Sequence, residues 1–254
     1  MNGKSNYIAD KFRGSATALM LEDYHKALET IENHKVDKIL DLGCGFGGVT
    51  KLVADFFSAT EIYGVDIKPR RLEVAREQGI KTIEADLNIS SLPLPSGYFD
   101  LVISNGVIEH LYFYDDLITE SYRVLKRGGF LVLSLPNLAN YIQRLSLLLG
   151  YQPSDVNISR KIYAGTLFCS GKPVQGHIHS ATLNAVKQLL EYYNFTIIAA
   201  RKGDPVMTGS RWAFLFKVVG YFCPISLTRR IIIIAQKPSP SQVNLRVYTP
   251  ALGG

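Results

Sequence analysis

The chain has 254 residues, 47% of them hydrophobic, and a formal net charge of +6, which is enough length for one domain with a full core. It has no run of 18 uncharged apolar residues and no apolar signal core near its first residue, so neither a transmembrane helix nor a secretory signal is predicted. Its cysteines (Cys44, Cys169 and Cys223) are too widely spaced for a disulfide framework or a metal site, so we expect a reducing, cytoplasmic setting.

Residues 18–31 have helical spacing and precede a strand predicted over 36–42. That strand ends in a turn rich in glycine, and a helix is predicted from Val49 to Phe57. The turn contains Gly43, Gly45, Gly47 and Gly48. Glycine lets a ligand approach the backbone closely and adopts positive φ without strain.

The spacing of these glycines also fits the G-x-G-x-x-G fingerprint of dinucleotide sites, which leaves an oxidoreductase as one interpretation. Asp41 lies two residues before the first glycine, where a carboxylate would repel a pyrophosphate. We therefore favour a ligand that carries an ammonium group.

Two further acids follow the next two predicted strands. Asp66 ends the strand 61–66, and Asp86 follows the strand 80–85. Ligands in open α/β sheets bind outside the carboxyl ends of the strands, where an acid can accept hydrogen bonds from ribose hydroxyls. We expect Asp66 to bind a ribose and Asp86 to accept from an adenine amino group.

The remaining chain alternates strands and helices, which predicts a doubly wound, mostly parallel sheet. The predicted strands are 101–104, 130–135, 195–200 and 230–236. The predicted helices are 115–126, 137–150, 180–193 and 212–222. Residues 151–178 have no period, and we interpret them as a lid that faces the substrate.

Five segments, in this order, resemble the class I S-adenosylmethionine-dependent methyltransferases of the type 11 kind. They are Asp41–Gly47, Tyr63–Asp66, Ala85–Leu87, Phe99–Leu111 and Arg123–Pro136. The resemblance implies a three-layer, Rossmann-like sheet of seven strands in which the last strand is antiparallel and lies between the fifth and the sixth. It also implies a helical cover over residues 1–35, with Tyr7 and Phe12 in the cover or in the core, and a domain over 36–237. Residues 238–254 contain Pro, Ser and Gly and have no period, so we expect a flexible tail there.

The same resemblance implies S-adenosylmethionine as the cofactor. The residues expected to bind it are Asp41, Gly43, Cys44, Gly45, Gly47, Asp66, Ile67, Asp86, Leu87, Asn105, Gly106 and His110. Glu109 and His110 are the candidate catalytic residues, since an acceptor hydroxyl must lose a proton. The alternative is that His110 only packs beside the cofactor.

No metal is predicted. Some relatives bind a divalent metal through Glu-x-x-Glu-His, but here Gly106 stands at the first of these positions. His177 and His179 form an H-x-H pair with no third ligand nearby in sequence, so we interpret them as polar loop residues, although His177 could face the acceptor.

The sequence leaves several chemical classes of methyl acceptor open. The segment 134–150 looks similar to methyltransferases of glycan synthesis, which favours a hydroxyl of a glycan-related or other small molecule. A quinone or other metabolite is the alternative, RNA comes third, and a binding module without activity is also considered. The basic residues from Arg201 onward suggest lipid or RNA contact only weakly, because no nucleic-acid motif accompanies them. The apolar stretch within 211–230 leaves peripheral membrane contact as an option. The oligomeric state is not predicted.

Overall fold

The computed structural model describes residues 16–88, 91–174, 176–203 and 224–239. The predicted cover residues Tyr7 and Phe12, the apolar helix 212–222 and most of the tail lie outside the described residues. None of the helices in the described ranges is long and apolar enough to span a membrane.

The described residues form one seven-stranded sheet in the order β3-β2-β1-β4-β5-β7-β6. Its strands are β1 Lys38–Leu42, β2 Glu61–Asp66, β3 Lys81–Glu84, β4 Phe99–Asn105, β5 Leu125–Pro136, β6 Thr196–Gly203 and β7 Arg230–Gln236. β7 pairs antiparallel with both β5 and β6, whereas the pairs among β1 to β5 are parallel. The predicted sheet, with its antiparallel last strand between the fifth and sixth, is confirmed.

Six α-helices accompany the sheet in the described ranges. They are α1 Ala16–Leu28, α2 Gly48–Phe57, α3 Pro69–Glu77, α4 Tyr114–Val124, α5 Tyr141–Leu148 and α6 Leu183–Tyr192. Helix α3 is not predicted from the sequence, because most of its residues are charged and only Leu72 and Ala75 are buried. The N-cap of helix α6 is Thr182, whose side chain accepts a hydrogen bond from Ala185 N.

Apolar side chains cover both faces of the sheet, as a parallel sheet between helices requires. In β7, Ile231 and Ile233 pack into one core cluster and Ile232 and Ile234 into the other. All four are almost fully buried. This two-sided burial explains why the central strands have continuous apolar runs instead of an alternating pattern.

The predicted helix 115–126 ends earlier, at Val124, because Leu125 pairs with Phe99 as the first residue of β5. The predicted end at residue 126, shortly before Gly128 and Gly129, is therefore wrong by two residues. Strand pairing with β4 overrides the local glycine signal.

Helix α5 is shorter than the predicted helix 137–150. Polar residues are buried and leucines are exposed, which is the reverse of the usual amphipathic pattern. Its buried residues are Gln143 and Ser146, whereas Leu145, Leu147 and Leu148 are exposed. The described part of the segment 151–178, which the sequence predicts to be a lid, has irregular backbone with two isolated bridges, between Gln152 and Thr166 and between Ile162 and Pro173.

Candidate active site

The glycine turn joins β1 to α2 at the carboxyl edge of the sheet. Gly43, Gly45 and Gly47 have φ values of +89°, +55° and +86°. A Cβ on Gly43 would lie 2.2 Å from a methyl group of Val107, whereas a Cβ on Gly45 would meet nothing within 4 Å. The turn therefore packs against the chain after β4 on one side and leaves open space at Gly45.

Strand β2 fixes this turn through backbone and side-chain hydrogen bonds. Gly43 N donates to Val65 O at 2.7 Å, and Gly45 N donates to Asp66 Oδ2 at 3.0 Å. Lys68 N donates to the other oxygen of Asp66 at 2.8 Å. Each carboxylate oxygen has a second lone pair, so Asp66, which is 5% exposed, can also accept from a ribose hydroxyl.

Asp41 is the buried acid below the turn, 2% exposed. Thr50 Oγ1 donates to its Oδ2 at 2.6 Å, but Oδ1 is buried with no partner in the described part of the chain. Burial, together with the nearby Asp66 charge, raises the pKa of Asp41 to about 7. An ammonium group would supply the missing partner, so this acid fits the cationic amino-acid end of S-adenosylmethionine.

Tyr24 of α1 belongs to the same region, and the sequence analysis assigns it no role at the site. Its hydroxyl is buried and unpaired among the described residues, and its pKa is raised by burial and by the charge of Asp41. Helix α1 therefore reaches the buried side of the glycine turn. This helix belongs to residues 1–35, the segment that is expected to form a cover.

The remaining predicted cofactor residues on this side lie around β2 and β3. Asp86 Oδ1 accepts from both the backbone and the side-chain amide of Asn88, each at 2.9 Å, and Leu87 between them is partly buried. Ile67, the residue after Asp66, is 52% exposed. Cys44 is buried, and this burial is the main reason why the pKa of its thiol is raised to about 12. Cys44 is thus a packing residue with an unreactive thiol.

Across the edge, Asn105 ends β4 and Gly106 follows it. Asn105 Oδ1 is buried without a partner among the described residues. Gly106 N donates to Ser134 O at 2.9 Å, and its φ is +71°. A Cβ on Gly106 would lie 2.9 Å from the Arg230 guanidinium, so the missing side chain makes room for that arginine.

Arg230 occupies the centre of this side of the site. It is the first residue of β7, and its Nη2 lies 3.7 Å from Glu109 Oε1 while its Nε donates to Ser134 Oγ at 3.1 Å. Glu109 is only 1% exposed. Burial raises the pKa of Glu109, and the Arg230 charge opposes that rise.

The sequence analysis assigns Arg230 no role at the site. The available signal is the pair of arginines, Arg229 and Arg230, immediately before four isoleucines. An antiparallel strand begins at the edge where its parallel neighbours end, so a charge at its start faces the ligand edge.

The end of the predicted lid lies against Glu109 and His110. Ile178 N and His179 N donate to the backbone oxygen of Glu109 at 2.8 and 3.3 Å. His110 Nδ1 lies 3.0 Å from Gly176 O, and the His110 and His177 ring centroids are 5.1 Å apart. No third ligand lies near the H-x-H pair in sequence, but the fold brings His177 next to Glu109 and His110, which come 68 and 67 positions earlier in the chain.

The two histidines of this pair have different surroundings. Burial, and then the charges of His110 and Arg230, lower the pKa of His177 to about 4, so its ring is neutral at physiological pH. His179 is exposed and stacks against Phe113. Only His177 belongs to the candidate site.

Residues 40–133 match the family model described as a methyltransferase domain. The chain is 32% identical over 119 residues to a malonyl-[acyl-carrier protein] O-methyltransferase of Enterobacter lignolyticus, covering 47% of this chain and 43% of that protein. It is 32% identical over 109 residues to a trans-aconitate 2-methyltransferase of Rhizobium rhizogenes, covering 41% and 40%. The matched region thus spans about two fifths of the length of these curated relatives.

Solved structures extend the likeness of the fold over most of the chain. An S-adenosylmethionine-dependent methyltransferase of Mesorhizobium loti superposes with a TM-score of 0.58 at 19% identity, covering 89% of this chain and 99% of that one. A second, described as a putative S-adenosylmethionine-dependent methyltransferase of Listeria monocytogenes, gives 0.60 at 17% identity, covering 87% and 98%. Residues 40–133 are thus similar to a methyltransferase domain, and the fold of the chain is similar to those of solved S-adenosylmethionine-dependent methyltransferases.

Proposed function

We propose that this protein transfers a methyl group from S-adenosylmethionine to an oxygen of a small polar acceptor. The observation that carries the cofactor part is the unpaired, buried Oδ1 of Asp41 beside the open glycine turn. A nicotinamide dinucleotide would bring a pyrophosphate to this carboxylate, and the two negative charges would repel each other. A cofactor with an ammonium group would instead pair with this carboxylate and offset the free-energy cost of burying it.

Four parts of the edge would hold the cofactor. Asp41 would bind its ammonium group, the backbone at Gly45 would lie against it, Asp66 would accept from its ribose hydroxyls, and Asp86 would accept from its adenine. When bound, S-adenosylmethionine supplies an electrophilic methyl group, so the protein has mainly to orient the acceptor and exclude water.

The acceptor would lie on the other side of Gly106, against Glu109, His110 and His177. A buried carboxylate and a neutral imidazole can accept the proton that a hydroxyl must lose. We propose a hydroxyl acceptor, with a glycan-related molecule as the first class to test. The O-methyltransferase name of the Enterobacter relative is consistent with transfer to oxygen.

We further propose that residues 36–237 act as one domain and that the lid, 151–178, closes over the acceptor. The contacts of Ile178 N and His179 N with Glu109 O support this arrangement, since they hold the end of the lid against the catalytic candidates.

Calorimetric titration with S-adenosylmethionine tests the cofactor assignment. We expect saturable binding that Asp66→Asn weakens at least tenfold, because an amide nitrogen would face ribose hydroxyls where a carboxylate oxygen now accepts. Glu84→Gln is the matched control, since Glu84 pairs with Asp66 in the β2–β3 register but is exposed. Absence of binding by folded wild-type protein, or equal affinity in both variants, would contradict the proposal.

The acceptor is tested by measuring S-adenosylhomocysteine release with acceptor panels of sugars, quinols, carboxylic acids and RNA. Stimulation by hydroxyl compounds, with loss in Glu109→Gln, would support the proposal. Stimulation only by RNA or only by carboxylic acids would reject the hydroxyl acceptor and leave the cofactor assignment standing.

A further inference from the structure

We propose that Glu109, His110 and His177 form a binding site for a divalent transition-metal ion; we name these three residues the Glu-His-His site. One ligand atom from each residue lies within 4.8 Å of the ligand atoms of the other two. Two of them adjoin in sequence after β4, and the third comes from the lid. The sequence pattern alone does not reveal this grouping.

Each of the three side chains has a lone pair available. Glu109 Oε2 and His177 Nδ1 are buried and have no hydrogen-bond partner among the described residues. His110 Nδ1 lies 3.0 Å from the carbonyl oxygen of Gly176, which can only accept, so the ring proton is on Nδ1. The lone pair of His110 is therefore on Nε2, the atom that remains for a metal.

The surroundings already hold these residues together. The hydrogen bonds from Ile178 N and His179 N to Glu109 O fix the lid next to the turn Ile108–His110. The bond between His110 Nδ1 and Gly176 O is the arrangement that usually orients a metal-binding histidine, in which the second ring nitrogen donates to a carbonyl. A cation would thus meet a site whose backbone is in place before it binds.

The donor set indicates the class of metal. Two imidazoles and one carboxylate suit Zn²⁺ and neighbouring transition metals better than Mg²⁺ or Ca²⁺, which prefer oxygen ligands. Three protein ligands leave a coordination position open, as in catalytic zinc sites. If the proposed function is correct, an oxygen of the acceptor would take that position.

Arg230 opposes cation binding, because its Nη2 is 3.7 Å from Glu109 Oε1. It approaches one oxygen of the carboxylate and leaves Oε2, the unpaired one, for the metal. We therefore expect weaker metal affinity than at a structural zinc site, with binding that depends on all three ligands.

The test is a titration of tag-free protein with Co²⁺, followed by the visible absorption of the bound ion, with Zn²⁺ competition. We expect one saturable site in the wild type and a loss of affinity of at least tenfold in His177→Ala and in Glu109→Gln. His179→Ala is the matched control, because it removes the exposed histidine of the same H-x-H pair. Thermal unfolding checks each variant, and His110→Ala supplies an independent ligand deletion if His177→Ala does not fold.

Binding lost in the ligand variants and retained in His179→Ala supports the site. No saturable Co²⁺ binding by folded wild-type protein, or equal affinity in His177→Ala and His179→Ala, overturns it. Titration of the same samples with S-adenosylmethionine separates this result from the proposed function, since His177→Ala should leave cofactor affinity within about twofold.

Discussion

Replacing Asp41 by asparagine should stabilise the ligand-free protein at high pH while weakening cofactor binding. Burial raises the pKa of Asp41 from 3.8 to about 7. Because the folded state keeps this proton to a higher pH than the unfolded chain, stability is highest below pH 3.8, falls as the pH rises from 3.8 to 7, and is level above that. At pH 8 the ionised acid costs about 4 kcal/mol, taking 1.36 kcal/mol for each of about three units.

Asparagine keeps an oxygen that accepts from Thr50, and it removes the pH-dependent cost of ionisation. Its amide nitrogen then lies where Oδ1 was and has no hydrogen-bond partner there among the described residues. The cost of burying that unpaired amide does not change with pH. The change in relative stability between two pH values is therefore a more discriminating measurement than the stability at one pH. At pH 5 the ionisation cost of the wild type is below about 2 kcal/mol. The stability of Asp41→Asn relative to wild type should therefore rise by about 2.5 kcal/mol from pH 5 to pH 8.

The assay is urea unfolding of both proteins, freed of ligand, at pH 5 and pH 8, followed by cofactor titration at pH 8. Asp100→Asn is the control, because Asp100 accepts from Asp37 N and Lys38 N and pairs with Lys126. It should destabilise the protein at both pH values. A stability difference for Asp41→Asn that does not change with pH would refute the assignment of a buried, unpaired carboxylate, and unchanged cofactor affinity would refute its role in binding.

Further predictions concern the turn, the buried cation and helix α5. Gly45→Ala should cost only about 1 kcal/mol in unfolding free energy yet lower cofactor affinity more than tenfold, whereas Gly43→Ala should prevent stable folding because its Cβ has no room; urea unfolding and calorimetry distinguish them. Arg230→Met should destabilise by about 3 kcal/mol in urea unfolding, since it leaves a buried carboxylate uncompensated. Gln143→Ala should cost about 1–2 kcal/mol, but Leu148→Ser, at an 82% exposed position, less than about 0.5 kcal/mol.

The predictions that the structure confirms depend on local signals. An apolar run such as Phe130–Leu135 is a buried strand wherever it lies in the sheet, and a glycine turn between a strand and a helix needs no distant partner to be recognised. The acids at the ends of β1 and β2 follow from the same local rule, since parallel strands end at a common edge.

The parts that sequence reasoning misses depend on distant contacts. Periodicity predicts which residues of α5 share a face but not which face is inward, and the contact between Gln143 and Ser154 of the lid reverses the ordinary choice. His177 and Arg230 reach Glu109 across 68 and 121 positions of sequence, through a lid contact and an antiparallel strand. The contact of His177 has no local signature in the sequence, and the only local signal for Arg230 is its place immediately before the four isoleucines of β7.

Unsatisfied polar atoms connect the stability of this fold to its function. Asp41 Oδ1, Asn105 Oδ1 and Glu109 Oε2 are buried without partners in the described residues, and they lie at or near the carboxyl ends of the adjacent strands β1 and β4. Each such group costs about 1–3 kcal/mol in the absence of a ligand. A core selected for stability alone would pair them, as Arg123 pairs with Glu120 on α4. These three oxygens, two of which belong to carboxylates, lie together at the carboxyl edge. Ligands that pair with them therefore recover that free energy on binding. The edge is thus least stable by itself at the place where the cofactor and the proposed metal would bind.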